Sequence, residues 1–354
     1  MTTFDAVLVA GFGGPESMAE VPDFLQRVSG GHIPADRLAE VEHHYARFNG
    51  VSPVNAQHRA LAAALAQALV ARGIDVPVAN ANRHSMPSMD QALADLQSQG
   101  ARRVLALVPT PYASYSGCRA YREELLAGVP RDGHGHPALQ VVKIDPYADL
   151  PALVTAQVQL VQAALAEHPD AYLVFTTHSI PTAMAETSGP EGNAYISQHL
   201  ALIRAVMAEL ESQGLHPGWE LAYQSRSGSP HTPWLEPDIN DVVTRLADEA
   251  VRDVICSPIG FLTDHMEVVW DLDTEAAATA AKRGMAFTRV PTVGTLPVFI
   301  EGLADLVVEA LNTEPGIGSD APGARHWCTA DCCPNARAAG KPTIPGLAVS
   351  RSGT

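Results

Sequence analysis

Eight short apolar runs, at 6–10, 76–81, 104–109, 139–144, 173–176, 220–223, 254–256 and 286–290, alternate with stretches of helical periodicity along most of the chain. Short β-type runs that are apolar throughout are strands buried on both faces. Separated by amphipathic helices, they are the pattern of parallel sheets with right-handed crossovers. The fold class is therefore α/β, as two Rossmann-like, doubly wound parallel-sheet halves. The runs fall into two similar series with a break near 145–150, giving an N-terminal half over 1–147 and a C-terminal half over 148–312. No sequence repeat relates the halves. From Thr313 the composition shifts to Gly, Pro and Ser, so 313–354 is expected to be an irregular tail unless its cysteines pin it.

Ligands of open α/β sheets sit beyond the carboxyl ends of strands, and two such ends carry chemistry here. His178 closes one run, in FTTHSIP. A second run opens VICSPIGFLTDHMEVVWDLDTE, which breaks at Ser257-Pro258 and re-enters a helix with Thr263 or Asp264 as the expected cap. In that helix Glu267, Asp271 and Glu275 follow at steps of four, stacking three carboxylates on one face. Like charges so placed oppose the helix, so the row is either a solvated acidic face or the path of a bound cation. Val268, Val269 and Leu272 give the helix an apolar side and a strand end lies next to it, which favours the metal path, with Asp264 and His265 as supports. A lone histidine is usually structural. One opposed to Glu267 suits proton abstraction joined to metal handling, because imidazole titrates near neutrality and carboxylates hold hard divalent ions.

Other segments divide between bland and functional readings. GFGG after the first run lacks the third glycine of a dinucleotide loop, since Glu16 stands there, and reads as a tight strand-to-helix turn. Trp234, between prolines in SRSGSPHTPWLEPD, is a lid over core or a stacking platform for a flat ligand. Of five cysteines, Cys328, Cys332 and Cys333 crowd into HWCTADCCPN beside His326, a metal or cluster signal, whereas Cys256 lies inside an apolar run and reads as core. A net charge of −16 argues against nucleic acid as a partner. No apolar run reaches the roughly 18 residues of a membrane span. MTTFDAVLVAGFGG has no basic leader region, and the odd cysteine count argues against a disulfide framework. The expected setting is the cytoplasm, and the expected state a monomer.

Taken in order, VLVAGFGGPES, NGVSPVN, NRHSMPSMDQAL, VPTPYASYSG, FTTHSIP, AYQSRSGSPHTPWLEPD and SPIGFLTDHMEVVWDLD resemble the ferrochelatases, which insert Fe2+ into a porphyrin at the end of haem synthesis. The resemblance implies a porphyrin cleft between the halves, with His178 and Glu267 as the catalytic and metal-handling pair on opposite sides of the macrocycle. It makes Asp271 and Glu275 the metal row, puts Trp234 in the cleft, and sets Tyr45, Ser52 and Tyr121 near the rim and propionates. Phe12 stands where some soluble relatives have a tyrosine that ligates product iron, so that ligation is impossible here. The implied substrates are Fe2+ and, for a soluble bacterial type, coproporphyrin III. Protoporphyrin IX, a cobalt or nickel tetrapyrrole chelatase, and a non-catalytic tetrapyrrole or iron–sulfur sensor are the alternatives. Arg27, Arg47 and Arg119 are expected at the mouth to receive propionates. Family members with one mid-chain and three C-terminal cysteines bind [2Fe–2S], which assigns that cofactor to Cys118, Cys328, Cys332 and Cys333, with zinc or free thiols as the alternative. Transient contact with other haem-pathway enzymes is the remaining expected partnership.

Overall fold

The computed structural model describes residues 2–31, 35–228, 231–314, 328, 331–347 and 349, and, within these, not the side chains of residues 35–37. Among the described residues nine strands form two parallel sheets. β1 (Ala6–Gly11), β2 (Val78–Asn82), β3 (Arg103–Leu107) and β4 (Gln140–Ile144) build the first, in the order β2-β1-β3-β4. β5 (Tyr172–His178), β6 (Trp219–Gln224), β7 (Asp253–Ser257) and β8 (Ala286–Arg289) build the second, in the order β6-β5-β7-β8. The two orders are the same once renumbered, so the halves share a topology that their sequences do not repeat. β9 (Gly346–Leu347) comes from the tail and pairs in parallel with β4, returning the chain end to the first sheet. Cys118, Cys328, Cys332 and Cys333 lie close to that return.

Among the described residues twelve α-helices cover the sheets: α1 (Val21–Ser29), α2 (Ala35–Ala46), α3 (Val54–Ala71), α4 (Met89–Ser98), α5 (Ala120–Gly128), α6 (Pro151–Glu167), α7 (Thr182–Glu186), α8 (Ala194–Ser212), α9 (Ile239–Asp248), α10 (Met266–Trp270), α11 (Ala277–Lys282) and α12 (Pro297–Asn312). α12 packs on α3 and α6. One continuous core runs from Val7, Leu61 and Leu105 of the first half to Leu173, Phe175 and Ile255 of the second.

The loops beyond the two sheets' carboxyl ends touch. Tyr112 donates its hydroxyl to the Ile259 carbonyl at 2.7 Å, the Asp264 N–H donates to the Gln57 side chain at 2.7 Å, and His58 meets Thr263 at 3.1 Å. In each sheet the order reverses beside its first strand, between β1 and β3 and between β5 and β7, which is where such folds open a crevice.

Candidate functional site

His178 ends β5 at the crevice of the second sheet. Its Nδ1 hydrogen-bonds the Ser179 carbonyl at 2.5 Å, which fixes the tautomer and leaves Nε2 as the acceptor. The backbone around it is held on three sides. Tyr195 donates to the His178 carbonyl at 2.8 Å, Ser179 donates its hydroxyl to the Leu235 carbonyl at 2.8 Å, and the Gly260 N–H donates to the Thr176 carbonyl at 3.0 Å. A Cβ at Gly260 would lie 2.1 Å from Thr177 Oγ1, so the loop after β7 passes this close only with glycine there.

That loop carries Glu267. Its Oε2 lies 3.6 Å from His178 Nε2. The opposed arrangement implied by the resemblance is therefore corrected. β5 and β7 are neighbours in one sheet, so the two side chains leave the same edge side by side, and no macrocycle fits between groups this close. Burial works against a charged His178, but the hydrogen bond and charge of Glu267 outweigh it, aided by the Ser179 carbonyl and the Asp271 charge, and raise the imidazole above its ordinary value.

The helix begins one residue later than its expected cap. His265 is the cap, accepting from the Val268 N–H at 3.4 Å, because Thr263 is engaged with His58 and Asp264 with Arg289. After α10 the helix widens to a π turn over Asp271–Ala276 before α11 resumes. Such turns are uncommon and concentrate at functional sites. Glu267, Asp271 and Glu275 all line one cavity of about 240 Å³, with Glu40, His44 and Tyr45 on α2 facing them. Arg289 brackets the row, reaching Asp264 at 3.0 Å and Asp273 at 2.6 Å.

Asp271 is held by the Ser225 hydroxyl and by Gln224 Nε2 at 3.4 Å. Ser225 takes a left-handed backbone, φ 60°, unfavourable for a side-chain-bearing residue and fitting where function fixes the geometry. Burial, opposed by the Ser225 hydrogen bond and reinforced by Glu267 and Glu275, pushes the Asp271 carboxyl up to about 7. A carboxyl so raised stabilises the fold below the unfolded value of about 4, and that contribution is lost as pH rises through 7. Asp271→Asn is thus expected to leave the melting temperature unchanged near pH 4 and raise it at pH 8, by about 2 kcal/mol of stability after solvent screening. Calorimetry at both pH values checks this; equal melting temperatures at pH 8 contradict it.

Phe12, exposed, meets the His84 ring at a tilt of 58° with centroids 4.6 Å apart, and Arg27 donates to the His84 carbonyl at 3.1 Å. Tyr45 is buried against Phe24 and Met266, and burial followed by the Glu267 charge lifts its hydroxyl well above the ordinary range. Ser52 is buried beneath the GFGG turn. Tyr121 is buried in the first half's core, with the Arg83 guanidinium 4.9 Å over its ring. Trp234 lies beside the end of β5, where Trp234 pairs with Pro181, and its buried indole N–H has no partner among the described residues. Arg119 is not at the mouth. It is buried, paired with Glu123 at 3.1 Å and donating to the Cys332 carbonyl at 3.3 Å. Unanticipated from sequence were Gln224 and Ser225, which only the strand pairing brings beside Asp271, and His44, Trp270 and Arg289.

The cysteines meet where the tail returns. Cys118 Sγ lies 3.6 Å from Cys328 Sγ, and Cys332 Sγ lies 3.7 Å from Cys333 Sγ. Two thiolates on one tetrahedral metal, with bonds of about 2.3 Å, stand about 3.8 Å apart. Each pair has that bite, and two pairs suit two irons. Among the described residues no three His, Cys, Asp or Glu side chains converge as ligands of one ion. The left-handed backbone of Cys333, φ 52°, lets adjacent cysteines turn their sulfurs together, and the Gly189 N–H donates to Cys333 Sγ at 3.2 Å. Buried Lys143 lies beside Cys118 and Cys328. The donor set fits a [2Fe–2S] group. His326 lies outside the described residues.

A family model for ferrochelatase matches residues 4–311. The chain belongs to the ferrochelatase family. Within it, the chain is 86% identical over 348 residues to a coproporphyrin III ferrochelatase of Propionibacterium freudenreichii subsp. freudenreichii, covering 98% of this chain and 99% of the relative. It is 44% identical to one of Streptomyces griseus, covering 97% and 96%. Among solved structures it is similar to SirB from Bacillus subtilis with Fe3+, at TM-score 0.54 and 11% identity, covering 86% of this chain and 95% of that one; this likeness shows the two-half chelatase fold. The chain is thus a ferrochelatase, an enzyme acting on a porphyrin and Fe2+. No helix among the described residues is long and apolar enough to cross a membrane.

Proposed function

We propose that this ferrochelatase inserts Fe2+ into coproporphyrin III, with His178 and Glu267 acting as one proton- and metal-handling pair on a single face of the macrocycle. The observation that carries this is the 3.6 Å approach of His178 Nε2 to Glu267 Oε2 at the edge of the acidic cavity. The porphyrin lies against Phe12 and Tyr45 on one side and Trp234 on the other. Two inner N–H protons must leave before a metal can bind four nitrogens. His178 Nε2 takes them, and Glu267, 3.6 Å away, stabilises the imidazolium that forms. Asp271, titrating near neutrality, relays protons outward or gives a dehydrating ion its next oxygen ligand; Glu275 takes the ion from solvent. Coproporphyrin is supported by the named activity of the relatives and by exposed Arg27 and Arg47 at the rim, which suit propionates.

Cys118, Cys328, Cys332 and Cys333 would hold a [2Fe–2S] group, whose iron–thiolate bonds would tie the tail to the loop after β3. The five cysteines are free of disulfides.

The pH profile tests the pair. A base must be deprotonated to act, and the Glu267 charge raises His178, so the acid limb of kcat/KM for metal insertion is expected above pH 6.5. Glu267→Gln is expected to move that limb to lower pH, whatever remains of its amplitude. A limb unmoved by Glu267→Gln contradicts the pairing.

A further inference from the structure

Trp270 stands where α10 passes into the wide turn. Its indole Nε1–H donates to Glu275 Oε1 at 2.8 Å. The ring is gripped from the other half of the molecule: the His44 imidazole stacks on it with centroids 3.8 Å apart and planes at 12°. The Arg47 guanidinium carbon lies 5.6 Å from the ring centroid, and Phe48 meets it edge-on at 6.5 Å. His44 lies on α2, and Arg47 and Phe48 follow directly, so the first half holds the side chain that holds the outer carboxylate of the second. Trp270, His44, Glu40 and Glu275 line the same cavity as Asp271 and Glu267.

We propose that Trp270 is a positioning residue that gates metal approach: it restrains Glu275 through its indole N–H until an arriving divalent cation takes the carboxylate. The inference rests on the acidic row being the metal's approach. An indole N–H is a donor only and cannot itself ligate a cation. While it binds Glu275, the N–H occupies one lone pair of Oε1 and fixes the carboxylate's direction, so an ion ligating along that lone pair, or drawing the carboxylate toward Asp271, must displace the N–H. The indole cannot follow the carboxylate freely, because the stack with His44 fixes its plane. The cavity, about 240 Å³, has room for an ion with a full shell of waters at about 30 Å³ each. A hydrated cation can therefore reach Glu275 before it loses its waters to Asp271 and Glu267.

Two readouts on the full-length protein, as purified, test the gate. Zn2+, a redox-stable probe, is titrated into porphyrin-free protein while tryptophan emission is followed. The chain has four tryptophans, so the signal of Trp270 is the difference between wild type and Trp270→Phe. That difference is expected to change as Zn2+ binds, with the midpoint moved at least tenfold higher in Glu275→Gln. In steady-state insertion, Trp270→Phe keeps a ring for His44 but loses the donor. Its KM for the metal is expected to fall roughly threefold to tenfold, the effect of one lost hydrogen bond, with a smaller change in the KM for coproporphyrin III. His44→Ala, which loosens the ring from its other face, is expected to shift the metal KM in the same direction and carries the test if Trp270→Phe does not fold. A metal KM and a Zn2+-dependent emission both unchanged in Trp270→Phe overturn the gate while leaving the acidic row as the metal path. A metal KM unchanged in both Glu275→Gln and Asp271→Asn overturns that path and the gate together.

Discussion

His178→Ala lowers kcat for Fe2+ insertion by roughly 10²- to 10⁴-fold, the range lost when a positioned general base is removed. The KM for porphyrin changes little, because the macrocycle is held by other side chains. His178 is the group whose Nε2 is fixed in direction by the Nδ1 hydrogen bond and whose imidazole is raised by neighbouring Glu267. Glu267 cannot replace it: the carboxylate would have to accept the pyrrole protons and handle the metal at once. Removing the imidazole also leaves the fold intact, since the hydrogen bonds that Tyr195 and the Ser179 N–H make around His178 are to backbone and survive the truncation. Stopped-flow insertion with an unchanged melting temperature checks this; a kcat within fivefold of wild type contradicts it.

Cys332→Ser has the second large effect. On the proposed [2Fe–2S] ligation, the variant is expected to lose bound iron and acid-labile sulfide together, and with them the visible bands of a cluster. The fold is then expected to lose on the order of 5 kcal/mol, because metal–thiolate binding is folding free energy. Besides the cysteines, the described part of the tail is held by a two-residue strand, by Arg119 and Arg122 on its backbone, by Asn335 and Lys341 on Glu123, and by buried Ile344 and Leu347. Protease cleavage within 313–354 and a lower melting temperature are the readouts. A colourless wild type containing zinc, or a Cys332→Ser variant that melts with wild type, contradicts the cluster.

The central strands were legible because burial on both faces writes a continuous apolar run, and β1 is buried at every position; the edge strands β2 and β8 are only partly buried. Strand order was not legible, and it decides the site. Nothing local says that β5 and β7 are neighbours, so His178 and Glu267 were set on opposite faces when they leave one edge. The carboxylate row was visible as a step of four, but the π turn beneath it was not, since widening a helix by one residue per turn leaves no mark on a short apolar pattern. The cap fell at His265 rather than at Thr263 or Asp264 because cross-chain partners claim both. Arg119 misled through its charge: a buried pair with Glu123 reads in sequence like any surface arginine. The stack of His44 on Trp270 joins distant segments and has no sequence signal.

The most direct test of the account is anaerobic insertion of Fe2+ by the wild-type protein into coproporphyrin III and protoporphyrin IX side by side, followed by the Soret shift on metallation. The account predicts insertion into coproporphyrin III with the higher kcat/KM. Failure to metallate either porphyrin, or a preference for protoporphyrin IX, contradicts it.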